Sequence, residues 1–261
     1  MYIGDNMKIE KIKKMKNGKY KLKFDNGKEL ATYDNVILEN NLLFHKEVDS
    51  VEQLLKDTDY YDLYYKMVKK ISTKLRSTYE IEEFLKKEQV ETSKKDEIIQ
   101  KLKNNGLLND LTFAKAYVSD KVYLSMEGPY LIRKGLEEHH LENSIIEEAM
   151  NTIDEEEIQK KLTKYIQKKI QGNHKYSNYL FKQKITNECV NKGYSIDMIQ
   201  RIFDESKTDS DDVIKKEGEH IIRKLSKKYE EEELKRKVKE KLYQKGFSIS
   251  DINQFFEKRG W

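Results

Sequence analysis

Apolar residues in the C-terminal half of the chain recur with a period of 53 residues, counted from His140 to Gly193 and from Gly193 to Gly246. In each copy, apolar residues stand four apart before the glycine or histidine and return at helical spacing after it. This pattern predicts one helix, a stop and a second helix. The three copies are Ile132, Leu136, His140, Leu141, Ile146 and Met150; Ile185, Cys189, Gly193, Tyr194, Ile199 and Phe203; and Val238, Leu242, Gly246, Phe247, Ile252 and Phe256.

An earlier copy is predicted 34 residues upstream, where Gly106 takes the place of His140 and follows Ile98 and Leu102. Apolar residues from Ile158 to Ile170 predict a linking helix between two of the pairs, so the helices group in threes. One helical pair cannot bury its apolar stripe alone, and stacked copies are therefore expected to share a continuous core. We predict a mainly α protein whose tandem three-helix repeats form an elongated, curved array.

The N-terminal part shows a period of two residues instead. Between Lys8 and Tyr33, apolar residues alternate with lysines, and Asn17-Gly18 and Asn26-Gly27 interrupt the alternation. Asn-Gly tolerates the positive φ angles of a tight hairpin turn. The sequence therefore predicts a small three-stranded antiparallel β meander. Its inward side would carry Ile12, Tyr20, Leu22 and Phe24.

Short polar residues indicate where the following helices begin. A short helix with Leu54 and Leu55 on its buried face is predicted first, and a separate helix is then predicted to open the array with the buried stripe Leu63, Met67, Ile71 and Leu75. The expected capping residues are Asp34 or Asn35, Ser50, Ser77 or Thr78, and Thr92 or Ser93. The predicted boundaries are residues 1–58 for the meander and short helices, 59–123 for the first repeat, 124–155 for a partial second, 156–206 for the third and 207–261 for the fourth.

Composition indicates a chain with a real core and an unusually charged exterior, with 37% hydrophobic and 38% charged residues. No run approaches the roughly 18 apolar residues of a membrane span, and residues 1–6 show no secretory signal, so we expect a cytoplasmic protein. The lone Cys189 is expected in the core. Net charge is only +4, which argues little for nucleic acid. Local lysine clusters, as at 160–175 and 223–228, are either phosphate-facing or solvated faces balanced by nearby glutamates.

Motifs for catalysis or cofactor binding are missing from the sequence. Neither GxxxxGK[ST] nor GxGxxG occurs, the five histidines show no metal-ligand spacing, and the acidic run 209–212 lacks the ligand pattern of an EF-hand. No nucleophile stands in an interpretable relation to a base. We therefore expect a non-enzymatic protein with no metal and no cofactor.

A motif with a helix stop and a new helix start lies at Gly106, Leu108, Asp110, Phe113 and Ala114. Upstream lies Arg76-Ser77, and downstream Gly128, Ile132 and Leu136. Together these residues resemble the RecX family of RecA regulators, whose pattern has an Arg-Ser start, a Gly-x-Leu-x-Asp-x-x-Phe-Ala centre and a Gly-x-x-x-Ile-x-x-x-Leu continuation. The meander resembles an extension found in members from low-GC Gram-positive bacteria. One departure is His140, which stands where the family usually has glycine.

The resemblance implies a non-enzymatic modulator that binds the groove of the RecA filament on single-stranded DNA and limits ATP hydrolysis, strand exchange and filament growth. A repeat array needs no partner to close its core, so a monomer is expected although the sequence leaves the oligomeric state open. Single- or double-stranded DNA is a further possible partner. Motif residues such as Asp110, Phe113 and Ala114 are expected to hold the fold. The candidates for contact with filament or phosphate are Arg76, Arg133, Lys134, Lys168, Lys169, Arg223 and Lys224. Tyrosines available either for stacking or for core packing are Tyr64, Tyr65, Tyr165, Tyr176 and Tyr179.

Three other functions stay open at this point. A direct nucleic-acid binder that acts without RecA would bind naked DNA with steep salt dependence. A general helical scaffold would recruit another protein and leave RecA unaffected. An enzyme would need a polar pocket that the sequence does not indicate.

Overall fold

The computed structural model describes residues 7–48, 50–173, 175–205 and 210–261. A small N-terminal sheet is followed by helices, which confirms the predicted mainly α fold. The strands are β1 Met7–Lys14, β2 Tyr20–Phe24, β3 Glu29–Thr32 and β4 Glu47–Val48. The helices are α1 Asp34–Glu39, α2 Val51–Thr73, α3 Thr78–Lys87, α4 Thr92–Asn104, α5 Asp110–Leu124, α6 Pro129–Glu138, α7 Asn143–Met150, α8 Glu155–Gln171, α9 Asn178–Asn191, α10 Ile196–Glu205, α11 Ser210–Leu225, α12 Glu231–Gln244 and α13 Ile249–Arg259.

The chain divides into two compact units. The first comprises Met1–Phe113 with His139–Leu141, and the second comprises Ala114–Glu138 with Glu142–Trp261. The predicted repeat boundaries and the curved array stay predictions.

The sheet is antiparallel, with strand order β3-β2-β1-β4. Both predicted hairpin turns are present, with Gly18 and Gly27 at φ 85° and 81°. The sequence prediction missed the fourth strand, because two residues, Glu47 and Val48, are too few to show an alternation. A register shift in β1 between Ile9 and Lys11 explains why Ile9 and Ile12 both face the core although they stand three residues apart.

The helix α2 is one continuous element of 23 residues, capped by the Ser50 hydroxyl, so the prediction of two separate helices here was wrong. No glycine or proline interrupts residues 51–73, and the helix propagates through them. The predicted buried positions are confirmed at Leu54 and Met67, while Leu63 and Ile71 are partly buried against the core. Leu55 is 46% exposed, and Leu75, beyond the helix end, is 48% exposed. The buried residues are Leu54, Thr58, Tyr61, Tyr64 and Met67.

Capping predictions were confirmed at Ser77 and wrong at two other helices. Ser77 and Glu80 form a reciprocal capping box at the start of α3. The cap position of α4 is Glu91, without a side-chain hydrogen bond, because α4 already includes Thr92 and Ser93. The cap position of α1 is Tyr33, so neither Asp34 nor Asn35 caps that helix.

The predicted helix stops are confirmed in the backbone. Gly106, Gly193 and Gly246 have φ of 68°, 90° and 85°, and His140 takes the same left-handed conformation at 52°. After each of the three glycines, the next N–H bonds the carbonyl five residues back, as Leu107 does to Leu102 at 3.0 Å. Cys189 is fully buried, as expected. The last three helices, α11 to α13, build a hydrophobic core around Val238, Leu242 and Ile252.

One further stop has no sequence signal. Gln89, after α3, has φ 58°, and the Val90 N–H bonds the Leu85 carbonyl at 3.2 Å. Ile81, Leu85, Gln89 and Val90 stand 51 residues before Ile132, Leu136, His140 and Leu141. The helix pair α3–α4 therefore repeats α6–α7 more closely than the predicted copy at Gly106 does.

Candidate functional site

Within the second unit, the turn that stops α9 contacts the start of α6. The Gly128 N–H donates to the Lys192 carbonyl at 2.6 Å, and the Tyr130 N–H donates to the Gly193 carbonyl at 3.1 Å. A Cβ on Gly128 would lie 2.5 Å from the carbonyl carbon and oxygen of Gly193. The approach is therefore backbone to backbone, and it leaves no room for a side chain at Gly128. We call this arrangement, in which a helix-stop turn meets the start of an earlier helix, a stop-turn contact.

The same stop-turn contact recurs in the second unit one period later. The Ser177 N–H, at the start of α9, donates to the carbonyl of Lys245 at 3.0 Å. Lys245 and Gly246 stand 53 residues after Lys192 and Gly193. A Cβ on Gly246 would lie 2.6 Å from the Leu180 Cβ and 2.7 Å from the Ser177 hydroxyl. Each helix-stop turn thus packs on the start of the equivalent helix in the preceding copy.

Side chains form the stop-turn contact in the first unit. His139 and His140, 53 residues before Lys192 and Gly193, face the start of α3. The Ser77 hydroxyl lies 3.1 Å from His139 Nδ1, and the rings of Tyr79 and His140 are 4.3 Å apart. The His140 side chain thus contributes a ring contact at the position where the other two turns have Gly193 and Gly246.

The residues of the Gly-x-Leu-x-Asp-x-x-Phe-Ala motif surround that same contact. Asp110 Oδ1 accepts the Thr78 N–H at 2.7 Å, which satisfies an amide at the start of α3. The Phe113 ring lies 4.7 Å from the His139 ring, and Phe113 is buried. Asp110 and Phe113 therefore support α3 from a position more than 30 residues along the chain.

Two of the seven basic candidates are arginines held by carboxylates. Arg76 bonds Glu80 at 2.7 Å, with about a fifth of each side chain exposed. Arg133 makes two parallel hydrogen bonds to Glu147, at 2.6 and 3.0 Å. The hydrogen bond from Arg133 lowers the pKa of Glu147. Both guanidinium groups are therefore engaged in ion pairs within the chain.

Lys169 is engaged in a similar way on α8. Its ammonium lies 3.2 Å from Glu188 Oε1, which also accepts the Tyr165 hydroxyl, and 3.1 Å from Glu188 Oε2. The hydrogen bond from Tyr165, followed by that from Lys169, lowers the pKa of Glu188. Lys169 thus ties α8 to α9, and its charge is largely neutralised.

The other four candidates are exposed, and among the described residues they have no ion-pair partner. Consecutive residues on a helix point about 100° apart. Arg133 and Lys169 therefore turn toward glutamates while their neighbours reach solvent. The four free cations are Lys134 on α6, Lys168 on α8, and Arg223 and Lys224 on α11. Arg76 belongs to the first unit, and these four belong to the second.

Most of the tyrosine candidates pack inside the protein. Tyr64 is buried and accepts a hydrogen bond from Asn105, and Tyr65 donates to Asn35 at 2.6 Å. Tyr165 is held by Glu188. Only Tyr179, 75% exposed, presents its ring to solvent for stacking; Tyr176 is half-buried beside Lys184.

Groups that hold a metal ion, namely three or more His, Cys, Asp or Glu side chains, do not occur among the described residues. No described helix is long and apolar enough to cross a membrane.

The chain is similar over nearly its whole length to curated proteins. It is 32% identical over 264 residues to the regulatory protein RecX of Bacillus licheniformis, covering 97% of this chain and 99% of that protein. The chain belongs to the RecX family. Another member, from Oceanobacillus iheyensis, is 32% identical over 193 residues and 72% of this chain, and 71% of that protein is covered.

Comparisons at the domain and structure level agree with the RecX assignment. A family model described as the third three-helix domain of RecX matches residues 209–256, where α11 to α13 lie. A crystal structure of RecX from Lactobacillus salivarius is 26% identical with a TM-score of 0.53, covering 56% of this chain and 96% of that one. Another RecX crystal structure shares the fold with a TM-score of 0.65 at 22% identity, over 76% of this chain and 99% of that one.

The remaining residues that carry the RecX resemblance lie in the core or at turns. Gly106 closes α4, and Gly128 makes the backbone approach described above. The side chains of Leu108, Ala114, Ile132 and Leu136 are all at most 3% exposed. The residues of the RecX motif therefore determine how the helices pack. The basic surface has to be located from the solvent exposure and the ion pairs of the lysine and arginine side chains.

Sequence reasoning missed two features of this RecX chain. The first is the contact of Ser77 with His139. The period of 53 residues aligns His139 with Lys192 and Lys245, but it does not identify the residue that each of them contacts. The second is the register of the lysines on β1 and β2, where Lys13 stands opposite Lys21. The alternation in the sequence placed lysines on one face, but the pairing of strands was needed to place them side by side.

Proposed function

We propose that this chain is a non-enzymatic regulator of RecA that binds the groove of the RecA filament on single-stranded DNA and limits ATP hydrolysis, strand exchange and filament growth. The observation that carries the proposal is the match to regulatory RecX proteins across 97% of the chain. The filament is an intracellular assembly, so the chain would act in the cytoplasm. We further propose that it acts as a monomer and without a cofactor.

The free cations support this proposal. Lys134, Lys168, Arg223 and Lys224 are exposed on α6, α8 and α11. Three separate helices thus offer charges that no described carboxylate neutralises. Several weak contacts held on one chain gain from effective concentration when their targets repeat along a filament. The engaged cations Arg133 and Lys169 are proposed to act indirectly, by fixing α6 and α8, which carry Lys134 and Lys168. Arg76 holds the start of α3 through Glu80.

The test is the single-strand-dependent ATP hydrolysis of RecA, with this chain titrated at amounts too small to coat the DNA. The proposal expects hydrolysis to fall at these substoichiometric amounts. Unchanged hydrolysis in the presence of intact RecA filaments would contradict it. If hydrolysis falls only when the DNA is coated, the rival function of a direct nucleic-acid binder is favoured.

Charge reversals locate the contact. Lys134→Glu, Lys168→Glu and Arg223→Glu are each expected to raise the half-inhibitory concentration about tenfold, equivalent to about 1.4 kcal/mol. The matched control is Lys239→Glu, because Lys239 is exposed on α12 and is not among the proposed contacts. Equal effects of all four reversals would indicate net charge rather than a defined surface.

A further inference from the structure

The outer face of the N-terminal sheet carries four lysines in facing pairs. Lys11 stands opposite Lys23, and Lys13 stands opposite Lys21, as directly paired residues of β1 and β2. Between them, Ile12 pairs with Leu22 on the side that packs on the core. Neighbouring strands lie about 4.8 Å apart, and alternate residues of one strand about 6.7 Å. We call the grid of Lys11, Lys13, Lys21 and Lys23 the lysine face.

This arrangement works against the stability of the sheet. Like charges placed directly opposite each other on an antiparallel pair are destabilising. Two carboxylates offset part of the repulsion, since Glu10 lies 3.0 Å from Lys23 and Glu29 lies 2.6 Å from Lys21. Lys11 and Lys13 are exposed and have no ion pair among the described residues. Lys14 and Lys16, at the end of the same hairpin, are exposed as well.

The chemistry of the face indicates the kind of partner. None of the exposed large apolar side chains of the described residues comes from β1, β2 or β3. A membrane surface would call for aromatic or leucine side chains beside the lysines, and protein interfaces are depleted of lysine and enriched in aromatic residues. Sequence-tolerant binding of single strands relies on aromatic rings that stack with bases. Ammonium groups without rings fit the phosphates of a duplex, whose bases are already stacked.

We propose that the lysine face binds the phosphate backbone of double-stranded DNA. The grid presents four ammonium groups to a polyanion that carries one negative charge per about 1.7 Å of helix axis. Two of them, on Lys11 and Lys13, have no ion pair among the described residues, and the other two are held by single carboxylates that phosphates would have to displace. The interaction is independent of sequence, because it involves phosphates and not base edges. This site uses residues other than those of the proposed filament contacts on α6, α8 and α11, and its test needs no RecA.

The test is fluorescence anisotropy of a labelled DNA duplex with the full chain, between 50 and 200 mM salt. One variant replaces Lys11, Lys13, Lys21 and Lys23 with glutamine. A matched control makes the same replacement at Lys69, Lys74, Lys87 and Lys103, exposed lysines at α2 and its C-terminal end and on α3 and α4. Circular dichroism verifies that both variants fold, and removal of facing like charges is not expected to lower the unfolding midpoint.

We expect the wild-type affinity to fall with salt more steeply than that of the lysine-face variant. The difference in the slope of log affinity against log salt should be about 2 to 4, because each lysine that contacts a phosphate contributes near 0.9 and two of the four are already ion-paired. The wild type would then lose about 10- to 100-fold more affinity than the variant over this salt range. The control should keep a slope within about one of the wild type.

Three results would overturn the proposal. The first is an equal loss in the lysine-face variant and the control, which would reduce the effect to net charge. The second is a change confined to single-stranded DNA. The third is displacement of the duplex by polyglutamate at an equal concentration of charge, which would favour an acidic protein segment as the partner.

Discussion

Replacing Gly193 with alanine tests the stop-turn contact that the second unit repeats. Gly193 has φ +90°, and a Cβ there would lie 2.7 Å from the Leu131 backbone nitrogen and 2.9 Å from Leu131 Cγ. Gly106 provides the matched control, because it ends α4 with φ +68° and a Cβ would meet nothing within 4 Å. The two substitutions share backbone strain, and only Gly193→Ala adds a collision with backbone.

The magnitude follows from two contributions. A left-handed residue other than glycine costs about 1–2 kcal/mol, and alanine recovers about 0.4–1 kcal/mol by restricting the unfolded chain. Gly106→Ala should therefore lower the free energy of unfolding by roughly 1 kcal/mol. Forcing extra atoms into a packed site costs about 1–3 kcal/mol more. Gly193→Ala should consequently lose about 2–4 kcal/mol in all.

The assay is urea unfolding of the full chain followed by far-ultraviolet circular dichroism. Amide hydrogen exchange gives a local readout, with faster exchange expected at the start of α6 in Gly193→Ala but not in Gly106→Ala. Equal losses of stability in the two variants, with unchanged exchange at the Tyr130 amide, would refute the reasoning. In that case the close approach of Gly193 to Leu131 would have no energetic weight.

Three further predictions concern single contacts. Asp110→Ala should lower the free energy of unfolding by about 0.5–2 kcal/mol, because the Thr78 amide loses its acceptor, and Asp110→Asn should restore part of the loss in urea unfolding. The pKa of Glu147 is lowered by Arg133, so its stabilising effect is present above pH 4.5 and is lost as pH falls through the lowered value; Glu147→Gln should unfold at less urea than the wild type at pH 7 and at equal urea near pH 2. Burial raises the pKa of Cys189 to about 11, so a thiol reagent at pH 8 should label it only after unfolding, and rapid labelling of the native chain would contradict its buried position.

Local sequence patterns predicted the individual helices and strands better than they predicted which of these elements pack together. Helices end at positions such as Gly193 and Gly246 because φ is positive there. This conformation is predictable from the sequence, because glycine adopts it readily. Gln89 adopts it without such a signal. The continuity of α2 through Asp57 and Asp59 was missed because the apolar residues before them, Leu54 and Leu55, were assigned to one helix and the stripe from Leu63 to another. Helical periodicity defines which face of a helix is buried, and it does not say which helix covers that face.

The candidate site shows the same limit more sharply. Basic residues were recognisable in the sequence, but their pairing depends on residues brought near by folding. Glu147 is 14 positions from Arg133 and forms an ion pair with it, while the adjacent Lys134 has no ion-pair partner among the described residues. Glu188 does the same for Lys169 from another helix. Separating engaged cations from available ones therefore required the packing of α6 on α7 and of α8 on α9.

The measurement that tests RecA regulation most directly is retention of this chain on bead-bound single-stranded DNA, with and without RecA and a slowly hydrolysed ATP analogue. The account predicts strong retention on DNA that carries RecA filament, little retention on bare single strands at the same salt, and loss of retention in the Lys134→Glu and Lys168→Glu variants. Equal retention on bare and filament-coated DNA, or no retention on the filament, would contradict it.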